Sequence, residues 1–368
     1  MSTPDVAVPF LDLDAGVREL RTEIDGAIAS VLDGGRFVLG DALESFEREW
    51  AAYLGVRHCV GVGSGADAIT IGLRALGVGP GDEVLVPAFT FVATWAAVRA
   101  AGAVPVGVDA ELTTGGLDVD ALAAAVTSRA AAILPVHLYG HPVDVDGVRA
   151  VAERHGLVVL EDACQAHGAS IDGRRVGAST PAAWSFYPSK NLGGVGDGGA
   201  FTTDDDSVAR AARALRHQGT TARDRHEAYG FSSRLDDLQA AVLSVRLRHL
   251  DAWNERRRRS VARYLDGLED VGPSTFVPIR ERAGACSAWH LFVGRTPDRA
   301  EVLARLERAG VEARVHYPVP PHRQPMEAER GLVFPVAEEL AATVVSLPIG
   351  PHLPPDHVDV VVAALGDG

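Results

Sequence analysis

The sequence predicts an α/β protein, with a large domain over residues 1–250 on a mainly parallel seven-stranded sheet and a smaller C-terminal α/β domain over 251–368. Three observations lead there. Short apolar, β-rich runs alternate with alanine-rich stretches of helical spacing, the pattern of parallel strands covered by helices on both faces. A glycine-rich run lies between a strand and a helix. Near residue 235 the alternation gives way to one long helical stretch.

The seven strand-like runs are 58–62, 83–88, 105–108, 132–137, 157–162, 183–187 and 199–202. Helical spacing fills 66–76, 92–101, 119–126 and 145–155 between several of them. Residues 235–268 hold few glycines or prolines and read as a long helix. A strand at 287–294, a helix at 298–309, a short strand at 312–316 and two further helical pieces follow. The proline-rich stretch 317–325 reads as a loop, because proline fixes φ and removes a donor. The N-terminal segment is open to packing on the small domain.

At 368 residues, 47% hydrophobic and 23% charged, the chain has the balance of a globular protein of about two domains. Cys59, Cys164 and Cys286 are scattered and odd in number, which fits neither a disulfide framework nor a metal knuckle and points to a reducing compartment. Residues 1–14 lack the basic start and apolar core of a signal peptide, and no stretch approaches the roughly 18 apolar residues of a membrane span. A cytoplasmic protein is expected, with no membrane partner. The net charge of −14 argues against nucleic acid. The basic run 256–259 reads mainly as a solvated helix face, with an anion site as the alternative.

Three motifs carry chemistry. The run Gly61-Val62-Gly63-Ser64-Gly65-Ala66 opens a helix, where free N–H groups and the helix dipole suit a phosphate. It also satisfies a dinucleotide pattern, but the acids at the right distance, Asp82 and Glu83, precede the next strand instead of ending it. A tight turn without a ligand is the plain alternative. Residues 157–162 form a strand ending in Glu161 and Asp162, with Gln165 just beyond. Ligands of open α/β sheets meet such strand ends, although Asp162 is equally suited to capping the next turn. Lys190 follows a short strand, in a turn rich in Ser, Pro and Gly. Desolvation there lowers a lysine pKa and frees the amine for Schiff-base chemistry, whereas an isolated lysine is more often an ion-pair partner. Taken together, a phosphate cradle, a strand-end Asp, a Ser and a Lys match the needs of pyridoxal phosphate. No histidine spacing matches a metal site, so none is expected.

These motifs, with Gly34 to Gly40, Gly79 to Val84, Pro87 to Thr94, Glu161-Asp162-Ala163, Ser185 to Asn191 and Arg234 to Ala241, closely resemble the nucleotide-sugar aminotransferases of the DegT/StrS type, over nearly the whole chain. That family has the fold type I, aspartate-aminotransferase-like architecture. The resemblance implies pyridoxal 5′-phosphate as cofactor, with pyridoxamine 5′-phosphate as its aminated form. It implies that Lys190 carries the cofactor, Asp162 pairs with the pyridine nitrogen, Gln165 reaches the ring hydroxyl and Phe91 stacks on the ring. Gly65 and Ala66 would offer N–H groups to the phosphate, and Ser185 its hydroxyl. It also implies a homodimer with a shared active site. Ser232 stands where the family commonly has an Asn that reaches the partner subunit's phosphate, so that contact departs from the pattern.

Residues 136–140, 233–236 and 316–322 look like enzymes that aminate position 3 of a dTDP-linked 3-keto-6-deoxy sugar, in deoxyaminosugar and antibiotic pathways. L-glutamate would be the donor. His137, Tyr187, His316, Tyr317 and His322 are then candidates for the sugar-nucleotide pocket. The competing readings are a position-4 sugar aminotransferase, a cyclitol aminotransferase and, outside enzymes, a cofactor-binding regulator.

Overall fold

A computed structural model describes residues 7–328 and 330–366. The first six positions of the stretch read above as carrying no leader, and the last two of the expected small domain, lie outside the described residues.

Ser170–Ile171 and Arg174–Arg175 pair in a small sheet with Ala285–Cys286, while the other eight strands before residue 204 form two four-stranded sheets. One runs in the order His58–Val62, Gly199–Thr203, Ala182–Ser185, Glu161–Asp162; the other runs Val104–Val108, Glu83–Pro87, Ala130–Ile133, Val158–Val159. Residues 158–162 pass through both. Leu160 N donates to Ile133 O at 3.0 Å, and Glu161 N donates to Pro181 O at 2.9 Å. Val136 bridges to Asp162 in parallel. Pairing in these two sheets is parallel except at Gly199–Thr203, which is antiparallel to both neighbours. Alternate residues face opposite layers. Ala183 and Phe201 pack with Ile69, Leu73 and Trp95 of the helices on one face. Ala182, Trp184 and Ala200 pack with Phe46, Trp50 and Leu243 on the other.

Three helices not anticipated from the sequence precede the first strand: Leu13–Glu19, Arg21–Gly34 and Asp41–Leu54. The third follows from its buried side chains Leu43, Phe46, Glu47, Trp50 and Leu54, which recur at helical spacing. Its N-terminus is held by Asp237, which accepts from Gly40 N, Ala42 N and Leu43 N at 2.9, 3.1 and 3.2 Å.

The expected long helix 235–268 is two helices, Asp237–Leu247 and Leu250–Val271. They part at Arg248 and His249 because they serve different layers. The first packs against the helices Arg21–Gly34 and Asp41–Leu54, the second against Pro355–Gly366. The C-terminal sheet is antiparallel, in the order Val277–Pro278, Phe292–Arg295, Val344–Leu347. The expected strand 287–294 is therefore shorter and later. The expected strand 312–316 is replaced by single bridges, Val311 to Val8 and Arg314 to Ser346. The N-terminal segment meets this part of the chain, since Ala7 N and Val8 N both donate to Gly310 O. No described helix is long and apolar enough to cross a membrane.

Candidate active site

The site lies where parallel strands end. Asp162 closes its strand and is 4% exposed. Its Oδ2 accepts from Thr94 Oγ1 at 2.9 Å and its Oδ1 from Cys164 N at 3.2 Å. Thr94 belongs to the first turn of Val92–Ala100, the helix after the strand Glu83–Pro87, and Thr90 Oγ1 lies 3.1 Å from its hydroxyl. The carboxylate is thus held by two donors from different segments.

Ser64 caps the helix Gly65–Ala75 and accepts from Asp67 N at 3.1 Å. A helix start has four N–H groups without intrahelical partners. This cap leaves those of Gly65 and Ala66 for a ligand. Gly65 is required by its neighbours, because a Cβ there would stand 2.6 Å from Ser185 Cβ and 2.9 Å from Cys164 Sγ. Ser233 braces the loop from behind, accepting from Gly63 N at 2.9 Å and donating to Asp67 Oδ2 at 2.7 Å.

Lys190 sits on the turn after Ala182–Ser185 and is partly buried. Burial pushes its ammonium below the ordinary lysine range, while the neighbouring Cys164 and Asp162 pull the other way. Burial, then Arg314 and Lys190, lower His316 to about 4. These shifts place Asp162, Cys164, Lys190 and His316 within one electrostatic neighbourhood.

Gln165 is 5% exposed and fixed at both ends of its amide. Its Oε1 accepts from Tyr139 N at 2.7 Å, and its Nε2 donates to Tyr317 Oη at 3.2 Å. The Tyr317 ring lies 5.2 Å from the ring of Phe91, which is itself 48% exposed. The Tyr139 hydroxyl donates to the His316 carbonyl. The C-terminal residues 316–317 are thereby tied to the ends of the strands.

Other candidates fall elsewhere. His137 is fully buried; its Nδ1 accepts from Val143 N at 3.1 Å, so its Nε2 carries the proton and donates to Glu161 Oε2 at 2.7 Å. His322 is 1% exposed, against Glu338 at 3.1 Å and the Phe334 ring at 4.9 Å. Both side chains lie inside the fold, and His322 Nδ1 is buried without a partner. Tyr187 is 53% exposed on the turn before Lys190. Ser232 is exposed, bonded to Arg234 Nη2 at 3.0 Å, and joins no contact with the Lys190 group in this chain.

Sequence reasoning missed Thr94, Tyr139 and Cys164. Thr94 and Tyr139 lay inside quoted motifs, but their partners stand 68 and 26 residues away. Among the described residues no group of three or more His, Cys, Asp or Glu is placed to hold a metal ion.

Against known proteins, the chain is 51% identical over 350 residues to a dTDP-3-amino-3,4,6-trideoxy-alpha-D-glucose transaminase of Streptomyces venezuelae, covering 94% of this chain and 92% of that one. It is 52% identical over 365 residues to a Saccharopolyspora erythraea protein named as the erythromycin biosynthesis sensory transduction protein EryC1, covering 98% and 99%. The crystal structure of S. venezuelae DesV in complex with a ketimine intermediate superposes with a TM-score of 0.96 at 49% identity, covering 98% of each chain. The family model for DegT/DnrJ/EryC1/StrS aminotransferases matches residues 18–366, and the chain belongs to that family.

Proposed function

We propose that this chain moves the amino group of L-glutamate to the C-3 keto carbon of a dTDP-linked keto-deoxy sugar, in deoxyaminosugar and antibiotic biosynthesis. The chain is a transaminase by family, and the family is dependent on pyridoxal 5′-phosphate. The position on the sugar is supported by its likeness to the 3-amino-sugar transaminase.

The residues present fit that cofactor. The helix start at Gly65 and Ala66 has N–H groups to spare and no room for a side chain at Gly65. Asp162 is a carboxylate already held in place, and Phe91 offers a half-exposed ring. Lys190 is a desolvated amine on the turn between them. When bound, pyridoxal 5′-phosphate supplies the electron sink and carries the amino group between the two half-reactions.

The single observation that carries the proposal is this desolvated lysine beside a strand-end carboxylate. Lys190 Nζ, held below its ordinary pKa, would act as base toward the donor's α-carbon in one half-reaction and as acid toward the sugar's C-3 in the other. Asp162 would pair with the ring nitrogen, and Thr94 and Cys164 N fix its direction. Gln165 is aimed by Tyr139 N and Tyr317. Phe91 and Tyr317, whose rings meet at 5.2 Å, would together cover one side of the cofactor ring. We assign Gly65, Ala66 and Ser185 to the phosphate, and Tyr187, His316 and Tyr317 to the sugar-nucleotide side. Ser232 is assigned to a partner subunit's site in a homodimer.

The same reading takes 1–250 as the large cofactor-binding domain of a fold type I architecture. Its two sheets count as one seven-stranded sheet through the shared stretch 158–162. Residues 251–368 are the small domain, with the N-terminal segment packed on it.

The test is an absorbance scan of the purified protein with pyridoxal 5′-phosphate, before and after L-glutamate. A visible band that shifts supports the cofactor and donor. Keto-sugars are then screened, and the aminated carbon located by NMR separates C-3 from C-4. A regulatory role, the sense of one relative's name, predicts a band that glutamate leaves unchanged.

A further inference from the structure

Arg216, Arg246 and Arg257 are at most 8% exposed. Arg216 is neutralised by Glu47. The other two donate only to backbone carbonyls among the described residues. Arg246 Nη1 donates to Gly193 O at 2.5 Å and Gly194 O at 3.0 Å, while its Nε is buried with no partner. Arg257 Nη1 donates to Trp289 O, His290 O and Ile349 O at 3.2, 3.3 and 3.5 Å. All of the Arg257 bonds start from Nη1, so Nη2 and Nε are left over. Carbonyl dipoles alone are weak compensation for a buried charge. Burial accordingly lowers both groups, Arg257 to about 10, which still leaves it charged at neutral pH.

Both arginines line one cavity of about 40 Å³, whose wall includes Ser189, Lys190 and Asn191. That is roughly the room for one monatomic anion with a water. Besides the arginines and Lys190, two other titratable groups line it, and both are committed. Asp12 is bound by Arg18 at 2.9 Å and Ala15 N at 2.9 Å. His352 is bound to Glu19 at 2.6 Å. The basic run 256–259 was expected to be a solvated face. Arg256, Arg258 and Arg259 do pair with Glu19 and Glu255 at the surface, but Arg257 turns inward.

We propose that Arg246 and Arg257 hold a small monatomic anion, chloride under ordinary conditions, between the turn that carries Lys190 and the helix Leu250–Val271. The anion supplies the counter-charge that no described side chain provides. It links Gly193 and Gly194, through Arg246, to the carbonyls gathered by Arg257. The site does not depend on the cofactor.

The test compares thermal unfolding of the full chain in sodium gluconate, chloride and bromide at equal ionic strength. Chloride and bromide are expected to raise the midpoint by about 2 °C or more, saturating with concentration, where the larger gluconate does not. Arg246→Gln, which is uncharged and too short to span the cavity, is expected to lose that increment. Crystals grown in bromide are expected to show an anomalous peak beside both guanidinium groups, a readout that stands if the variant does not fold. Equal midpoints in chloride and gluconate overturn the proposal, as does an increment that persists in a folded Arg246→Gln. A bromide peak without halide stabilisation means an adventitious ion only, and overturns it too.

Discussion

Glu161 and Asp162 are adjacent in one strand, both carboxylates and both nearly inaccessible, at 1% and 4% exposure. Their surroundings differ completely. Glu161 points into a sealed pair with His137, where Gly177 N also donates to it at 3.2 Å. Asp162 points to the face where Thr94, Cys164 and Lys190 meet. Strand alternation alone separates them. Neighbours of the same type thus meet different surroundings, and residue type does not tell which is which.

The comparison breaks most visibly at Lys190. Lys190→Ala is expected to cut transamination by about 10⁴-fold, the scale of a lost acid–base group, with the melting temperature nearly unchanged. Single-turnover assays with glutamate measure it, and a variant of full activity would sink the assignment. Glu161→Ala is expected to do the reverse. It strands the His137 Nε2 proton and Gly177 N in the interior and costs about 3–5 kcal/mol in denaturant unfolding, with activity per folded molecule little changed. Asp162→Asn is expected to lower turnover by about 10²–10³-fold while the protein still melts cooperatively, which steady-state kinetics beside calorimetry would show.

Two smaller effects sharpen the contrast. His167 is fully buried against Trp50, Trp184 and Phe186, and burial, aided by Lys190, lowers it to about 3 from 6.5. The unfolded chain therefore binds this proton more readily. Stability is present above pH 6.5 and is lost as pH falls from there toward 3, with a slope of about 1.4 kcal/mol per pH unit from this residue. His167→Phe is expected to flatten the acid limb of a stability–pH curve by that amount, and an unchanged limb would refute the shift. Thr94→Val removes one donor from Asp162 and is expected to weaken cofactor retention by about tenfold, near 1.4 kcal/mol, in a dialysis or titration assay.

How much of this was legible in the chain follows from distance along it. Gly65, Asp162, Gln165 and Lys190 announce themselves because each lies in a short motif whose local geometry, a helix start or a strand end, is set by its own neighbours. Thr94 could be quoted but not interpreted, since its partner is 68 residues away. His137 and His322 could be named but not placed, because the sequence shows neither their burial nor their partners. The break at Arg248 and His249 carries no glycine or proline. It arises from two helices choosing different layers, which periodicity along one segment does not encode. The sheet was readable as alternating runs. The antiparallel setting of Gly199–Thr203 was not, because strand direction is fixed by pairing rather than composition.

The bonds from Tyr139 to the His316 carbonyl and from Gln165 to Tyr317 join positions up to 177 residues apart. On a ribosome, the chain therefore passes through a long interval in which Gly65, Asp162 and Lys190 have emerged but residues 316 and 317 have not joined them. Contacts of such sequence separation form late. Productive cofactor capture is then expected to report that synthesis has run almost to its end, since a chain truncated before residue 316 lacks both bonds.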